Sequence, residues 1–406
     1  MAERDPVVIS GGGPVGMVLA LALWREGVPV VVLETLDEPF VDQRAASSHP
    51  PTIEMLDALG LAGEIIPEGL IAPVYRFRDR VTGNLVAELD LSELKGELEY
   101  PFVLQYEQYK LVFKILSLYG GREGFDVRFS HTVAGFAQAE DHVEVTVARE
   151  DGAAERIRAA WLVGCDGGRS TVRKAAGIPF EGFTYPELFI KIGTYYDFMQ
   201  DDDRIVYRNY FSDPGEWCNL FKVNGEDGRP IWRGVFPMRI GETEAEAKRR
   251  ETLEARLQKF FPRKGEYEIA YANVYTVSQC VAATFNRGRV LLAGDSAHVN
   301  NPIGGMGLNG GIHDAVNLAG KLAAVWKGEA GAELLDLYTR QRRKAATEFT
   351  QAQTIANKKL MEERDPAVRR KNLDALRRTG EDRAMRRAYM RRAALVESLE
   401  AAAAVE

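Results

Sequence analysis

The 406-residue sequence predicts an α/β fold, α+β over the whole chain, in which a parallel-sheet domain is interrupted by an inserted antiparallel sheet and followed by a helical segment. Three observations predict it. First, the runs "VVIS" (7–10), "VPVVVLE" (28–34), "AWLVGCDGG" (160–168) and "GRVLLAGD" (288–295) are apolar throughout rather than alternating, as strands buried on both faces are. Second, between about 183 and 278 strand patterns dominate and aromatics are dense, with Asn-Gly and Asp-Gly turn signals in "KVNGEDGRPI" (222–231). Third, the chain after about 350 is helical in pattern and rich in arginine.

Taken in order, 7–10 reads as a strand, a glycine loop follows, and "MVLALALWRE" (17–26) is a helix closed by Gly27. With the strand at 28–34 this makes a βαβ unit. "SHPPTIEMLDALG" (48–60) is a short helix with Thr52 as its N-cap and Gly60 as its stop, and "YEQYKLVFKILSLYGG" (106–121) a second one. "FDVRF" (125–129) and "HVEVTV" (142–147) are strands, and "EWCNLF" (216–221) is expected to form a hairpin with "IWRGVF" (231–236). Ile312 to Trp326 reads as a long helix, and Asp365-Pro366 restarts a helix in cap-then-proline order. The arginine pairs beginning at 369, 377, 386 and 391 read as a solvated or subunit-facing helix surface. The expected division is 1–74, 101–182 and 279–349 for the parallel-sheet domain, 75–100 and 183–278 for the inserted sheet, and 350–406 for the helical segment.

A net charge of -7 disfavours nucleic acid or an anionic membrane as the main partner. Cys165, Cys218 and Cys280 are widely spaced and odd in number, which points to a reducing compartment. No stretch reaches the ~18–20 apolar residues of a membrane span, and the reading is cytoplasmic. The five histidines show no metal-ligand spacing, so no metal is expected.

Gly11, Gly13 and Gly16 form GxGxxG between strand and helix. Gly11 permits the turn, Gly13 admits a pyrophosphate, Gly16 lets helix and strand approach, and the helix N-terminus offers N–H groups to phosphate. Glu34 ends the next strand, 23 residues after Gly11, where a carboxylate can accept ribose hydroxyls. That acid favours an unphosphorylated ribose, hence FAD or NAD. A second glycine-rich stretch, "AGDSAHVNNPIGGMGLNGG" (293–311), follows a buried strand. No acid-bearing strand comes after it, so it is not a second dinucleotide site. It reads as the far end of one long cofactor, with Asp295 accepting from polyol hydroxyls and Gly304, Gly305 and Gly307 presenting backbone N–H groups to a ring that is anionic when reduced.

"GGGPVG" with Glu34, "VGCDGGRSTVRKAAG" (163–177) and "GRVLLAGDSAHVNNPIGGMGLNGGIHDAVNLAGKLA" (288–323) together resemble the single-component, FAD-dependent aromatic monooxygenases of the para-hydroxybenzoate hydroxylase fold. The likeness spans about residues 5 to 345. It implies a Rossmann-like FAD-binding domain with an inserted antiparallel β-sheet substrate domain and a C-terminal helical segment. Carried over by position, the cofactor set is Gly11, Gly13, Pro14, Val15, Gly16, Glu34, Arg44, Gln105, Val133, Asp166, Gly167, Gly294, Asp295, Pro302, Gly304, Gly305, Gly307, Leu308 and Asn309. Arg44, in "DQRAAS", matches the arginine beside the pyrophosphate, and Gln105 the glutamine near the ribityl chain. Many relatives carry a second proline at Asn301 and a glutamine at Met306, so these two positions depart from the pattern.

The resemblance implies non-covalent FAD, NAD(P)H as a transient co-substrate, and oxygen transfer from a flavin C4a-hydroperoxide to a phenolic or related aromatic small molecule, in a monomer or homodimer. The sequence names no base. His298, Asn301 and Pro302 are weak catalytic candidates, with a structural role favoured for His298, and His49, which could face the site, reads rather as a capping or surface residue. Substrate contacts are expected from the inserted sheet: Trp217, Asn219 and Phe221 on one face by alternation, with Tyr195, Tyr207, Arg233 and Tyr271. Two other readings stand beside this one, a reductase or oxidase of the same fold acting on a non-aromatic substrate, and a non-catalytic FAD-fold binding protein.

Overall fold

The structure is a computed structural model that describes residues 4–41, 43–149 and 151–406; residues 1–3, Glu150 and Asp42, which opens the motif around Arg44, lie outside the described residues. The four apolar runs become strands of one six-stranded sheet in the order Asn286–Arg287, Val290–Leu292, Trp161–Gly164, Val7–Ser10, Val30–Leu33, Phe125–Arg128. All pairs are parallel except the short one at the Asn286–Arg287 edge. The direction of winding switches between Val7–Ser10 and Trp161–Gly164, and crevices outside the carboxyl ends of such strands are where ligands bind. The loops 11–13, 165–168 and 293–297 all leave from those ends.

Helix Pro14–Arg25 and helix Met306–Lys327 pack against each other on this sheet, and the interior is built from Val7, Val8, Ile9, Leu19, Leu162, Val163, Leu291, Ile312 and Leu318, all fully buried. The second helix starts six residues before the expected Ile312, because Gly304 and Gly305, at φ +112° and +70°, turn the chain straight into it. The helix at 48–60 is Pro50–Ala58, with His49 in the cap position rather than Thr52. Pro50 needs no N–H partner and so takes the first turn. The Thr52 hydroxyl, freed from capping, donates to Asn309 Oδ1 at 2.7 Å.

A seven-stranded sheet runs Ile269–Tyr275, Phe189–Thr194, Pro230–Pro237, Cys218–Asn224, Arg208–Ser212, Val74–Asp79, Leu85–Asp90. The expected hairpin is there, Cys218–Asn224 pairing antiparallel with Pro230–Pro237. Register places Tyr271, Gly193, Arg233, Phe221 and Arg208 in one cross-strand row, so they share a face. Helices Ala352–Glu362, Pro366–Glu381, Arg383–Ala393 and Val396–Ala403 form the C-terminal segment. Asp365 caps the second of them through the N–H groups of Ala367 and Val368.

The arginine pairs correct the expectation of a solvated surface. Arg369 binds Asp79, Arg386 binds Glu93, and Arg387 and Arg391 bind Glu97. Arg369, both members of the 386 pair and Arg391 thus clamp the C-terminal helices onto the segment 79–97 of the same chain, while the pair at 377 stays exposed as expected. Charge patterning reveals which residues are ionic but not where their partners lie. Among the described residues, no helix is long and apolar enough to cross a membrane.

Candidate active site

The first glycine loop is shaped by close approach. A Cβ on Gly16 would stand 2.0 Å from the Gly11 carbonyl oxygen, and one on Gly11 would stand 2.5 Å from that of Cys165. Above Gly13, by contrast, there is open space. Pro14 opens the helix and Val15 lies against Gly294 and Gly311, where added Cβ atoms would meet it at 3.0 and 2.6 Å. Residues nearly 300 positions apart are therefore in contact, and the two glycine-rich stretches form one crevice.

Glu34 Oε2 accepts the Gly12 N–H at 2.7 Å and Oε1 that of Leu36 at 3.0 Å. The Glu34 carbonyl accepts from His131, which brings the strand of Val133 alongside. Asp166 accepts the Ser170 hydroxyl at 2.5 Å and the Val172 N–H at 3.1 Å, fixing the turn that exposes Gly167. Arg44 is exposed, and its carbonyl accepts from Lys191 Nζ. Gln105 is fully buried; its Oε1 accepts the Ser47 hydroxyl at 2.5 Å, while its Nε2 has no partner.

The far loop is held from below by two polar centres. Asp314, completely buried, accepts from Gly294 N at 3.0 Å, contacts His298 Nε2 at 2.7 Å and binds Arg342 Nε at 2.6 Å. Burial works to raise the Asp314 pKa, but the His298 and Arg342 charges and hydrogen bonds win and hold it low. Asn309 bonds in four directions: its Oδ1 accepts from His49 N and Thr52 Oγ1, both at 2.7 Å, and its Nδ2 donates to the carbonyls of Ser47 at 2.9 Å and Gly305 at 2.5 Å. Leu308 is half-buried beside it, and Gly307 stands with its Cα open toward Asn300 Oδ1.

The weak catalytic candidates are placed inside this scaffold. His298 is buried and occupied with Asp314, and its ring stacks on Phe285 at 5.9 Å. Asn301, a weak catalytic candidate by sequence, is buried and turns inward: its N–H and Nδ2 donate to Gln279 Oε1, its Nδ2 also to the Thr354 carbonyl at 3.0 Å, and its Oδ1 accepts from Ile303 N at 3.1 Å. Its neighbour Pro302 accepts the Gly305 N–H in the turn.

A cavity of about 30 Å³, partly open to solvent, lies where this loop meets the seven-stranded sheet. Its walls are Ile303, Gly304 and Met306 from the loop, Tyr75, Phe77, Arg208 and Tyr210 from the sheet, Met361 and Tyr389 from the C-terminal helices, and His49. The lining holds no aspartate or glutamate. His49 is not a surface residue: it is buried, neither ring nitrogen is hydrogen-bonded, and burial, then the Arg208 charge, lower its pKa to about 3 against a weak pull upward from the Gly304 backbone. Burial raises the phenol pKa of Tyr75 and of Tyr389.

The seven substrate candidates stand on or beside the same sheet, and none lines this cavity. Arg233 reaches Gln43 and stands 3.6 Å from Glu107, with Tyr271 nearby. Tyr195 lies under Arg229 and Tyr207 under Lys222. Trp217 and Asn219 are buried, each with an unpartnered polar atom, and Phe221 meets the Tyr210 ring edge-on. The cavity residues Arg208 and Tyr210, absent from the expected substrate set, alternate in "YRNYF" (207–211) as Asn219 and Phe221 do. The period-2 rule that selected the second strand selects these also. Met361 and Tyr389 carry no such signal, since helical spacing shows only that a face is covered.

The family described as FAD binding domain matches residues 4–353. This chain belongs to that family of flavoprotein monooxygenases. The flavoprotein is 36% identical over 393 residues to para-nitrophenol 4-monooxygenase of Pseudomonas sp. (strain WBC-3), covering 96% of this chain and 95% of the relative. It is 30% identical to 6-hydroxy-3-succinoylpyridine 3-monooxygenase HspB of Pseudomonas putida (strain DSM 28022 / S16), covering 88% and 89%. Among solved structures, p-nitrophenol 4-monooxygenase PnpA of Pseudomonas putida DLL-E4 superposes with a TM-score of 0.90 at 34% identity, covering 98% of this chain and 99% of that one.

FAD fits the crevice of this flavoprotein on its own evidence. Open space above Gly13 lies at the N-terminus of helix Pro14–Arg25, as a pyrophosphate requires. The buried, unpartnered Gln105 Nε2 offers a donor to an acceptor absent from the protein itself.

Proposed function

We propose that this flavoprotein hydroxylates a phenolic small molecule, consuming NAD(P)H and dioxygen. One observation carries the reading: the cavity against Gly304 and Met306 has aromatic walls, one buried cation and no carboxylate. Aromatic faces suit a flat ring, and the polar groups fix its orientation. The names of the relatives, a nitrophenol and a hydroxypyridine monooxygenase, support the same class.

In this reading Gly11 to Gly16 and Glu34 hold the adenosine and pyrophosphate part of FAD, Gln105 and Asp295 its middle, and the 302–309 loop its ring. Bound there, FAD would supply the redox chemistry, hydride acceptance from NAD(P)H and reaction with dioxygen. The chain supplies position and environment. The N–H groups at the start of helix Met306–Lys327 face the ring end and favour negative charge there. Ile303, Met361 and Phe77 keep the cavity apolar, which excludes water from the reacting centre. Tyr75, Tyr210 and Arg208 orient the substrate ring, and His49 stays neutral beside it.

The test is a screen of phenols against the purified yellow holoprotein, following NAD(P)H oxidation, hydroxylated product and hydrogen peroxide together. Stimulated oxidation with matching product supports the proposal. Oxidation that yields no hydroxylated product from any phenol assigns the chain to the reductases or oxidases, and flavin that NAD(P)H never reduces assigns it a binding role.

A further inference from the structure

Six arginines are buried among the described residues: Arg78, Arg173, Arg208, Arg233, Arg256 and Arg342. Four have a carboxylate within 4.0 Å, namely Asp202, Glu107, Glu216 and Asp314 for Arg78, Arg233, Arg256 and Arg342. Arg173 donates to two carbonyls, of Ser296 and Gly168, at 2.9 and 2.8 Å. Arg208 has neither kind of partner. Its NH2 reaches the Tyr210 hydroxyl at 3.1 Å, its guanidinium stands 5.2 Å from the Tyr75 ring centroid, and its Nε is buried without a partner. A buried cation left without a protein counter-charge is unfavourable, and here it borders the cavity. The other titratable groups of that lining are His49, Tyr75, Tyr210 and Tyr389, and none is an acid of carboxylate strength. The counter-ion is therefore to come from the ligand.

Resting on the hydroxylase reading above, we propose that Arg208 is the residue that binds the substrate's anionic oxygen, and that this oxygen is an ionised phenol. A guanidinium with a free Nε and a tyrosine hydroxyl beside it form a ready clamp for a phenolate. The pocket then selects phenols that bind as phenolates over neutral aromatics of equal size. A polar ring substituent such as a nitro group, neutral overall but with partly negative oxygens, offers a similar acceptor, so the probes must separate the two sources.

The experiment uses the FAD-loaded protein without NAD(P)H, so that nothing turns over. 4-Nitrophenol is titrated into wild type, Arg208→Met and Arg208→Lys, read as a difference spectrum against the same holoprotein, because its phenolate is yellow and its phenol is not. At a pH where free 4-nitrophenol is mostly neutral, wild type is expected to generate the phenolate band on binding. Arg208→Met is expected to bind about 10- to 100-fold more weakly and without the band. Arg208→Lys keeps the charge without the fork, and is expected to keep the band with a smaller loss. FAD content and thermal melting show that each variant is folded. 4-Cyanophenol, which ionises but has no nitro group, must lose affinity in Arg208→Met; 4-nitroanisole, which has the nitro group and cannot ionise, must not. Wild type binding 4-nitrophenol without the band, or Arg208→Met binding it as tightly, overturns the assignment. Loss confined to 4-nitroanisole transfers Arg208 to the substituent and overturns it too. A yellow holoprotein that binds none of the phenols overturns the hydroxylase reading, and this inference with it.

Discussion

Asp314 accepts the backbone N–H of Gly294 at 3.0 Å, so a carboxylate inside helix Met306–Lys327 sets the turn that carries Asp295. The same carboxylate is bound by His298 and Arg342. Asp314→Asn keeps the shape but removes the only negative charge facing Arg342 in the described contacts, and turns an amide N–H toward one of three donors. Breaking a buried ion pair from one side costs about 3–5 kcal/mol. The expected result is an unfolding free energy lowered by that amount, read as a lower denaturant midpoint, together with faster FAD loss on dilution. An unchanged midpoint would show that the cluster does not support the loop.

The first glycine loop makes a paired prediction. Gly16→Ala places a Cβ 2.0 Å from the Gly11 carbonyl, so it must displace backbone; Gly13→Ala meets no atom within 4 Å. Apoprotein melting is expected to fall clearly for Gly16→Ala and to stay at the wild-type value for Gly13→Ala. FAD affinity is expected to fall for both, because the space above Gly13 is the space assigned to pyrophosphate. A Gly13→Ala variant with wild-type FAD affinity would move the phosphate elsewhere.

His49 and His313 are both held neutral, by burial first and then by arginine charge, Arg208 for the one and Arg342 for the other. Each has a folded pKa below its unfolded value of 6.5, to about 3 for His49. Between those values the unfolded chain binds protons that the folded chain does not. Stability is therefore full above about pH 6.5 and falls as the pH drops toward 3, by up to about 1.4 kcal/mol per pH unit for each histidine. His49→Gln is expected to remove one histidine's share of that slope, measured as urea midpoints between pH 7 and pH 4.5. A slope identical to wild type would count against a neutral His49.

Asn301 departs from the proline that the family resemblance leads one to expect, and its bonds show what a proline there would remove. Its backbone N–H and side-chain amide both reach Gln279, and the amide also holds Thr354 and Ile303. Asn301→Pro strands a buried glutamine and a buried carbonyl, at a cost of roughly 3 kcal/mol. Calorimetry of the variant is the check, and a loss below ~1 kcal/mol would mean that Gln279 finds another partner.

The parallel strands and their glycine turns were legible because each turn needs residues that few others replace: Gly11 at φ +105°, Gly16 against a carbonyl. The inserted sheet was legible from its alternation and its turn dipeptides. What lay beyond reach was long-range partnership. Thr52 reads as a cap until Asn309, 257 residues away, is seen to take its hydroxyl. His49 reads as a capping or surface residue; it does hold the cap position, but only the fold shows it buried beside Gly304 at the cavity. The arginines of the C-terminal helices read as solvated until Asp79, Glu93 and Glu97 appear opposite them.

Met361 gives the last of these partnerships a measurable consequence. It is 1% exposed, packs with Leu373 and Met390 in the core beneath the sheet, and lines the cavity beside Ile303. Met361→Ala removes apolar volume from a wall that the C-terminal helices alone provide, and a buried Met→Ala change costs about 2–5 kcal/mol. The larger effect is expected in turnover. Space lined by a new alanine lets the substrate tilt and water enter, so NAD(P)H oxidation should continue while a larger share of it ends as hydrogen peroxide instead of hydroxylated product. Product and peroxide measured in the same assay decide the matter. A variant that loses stability but keeps its coupling would leave the C-terminal helices a purely structural wall.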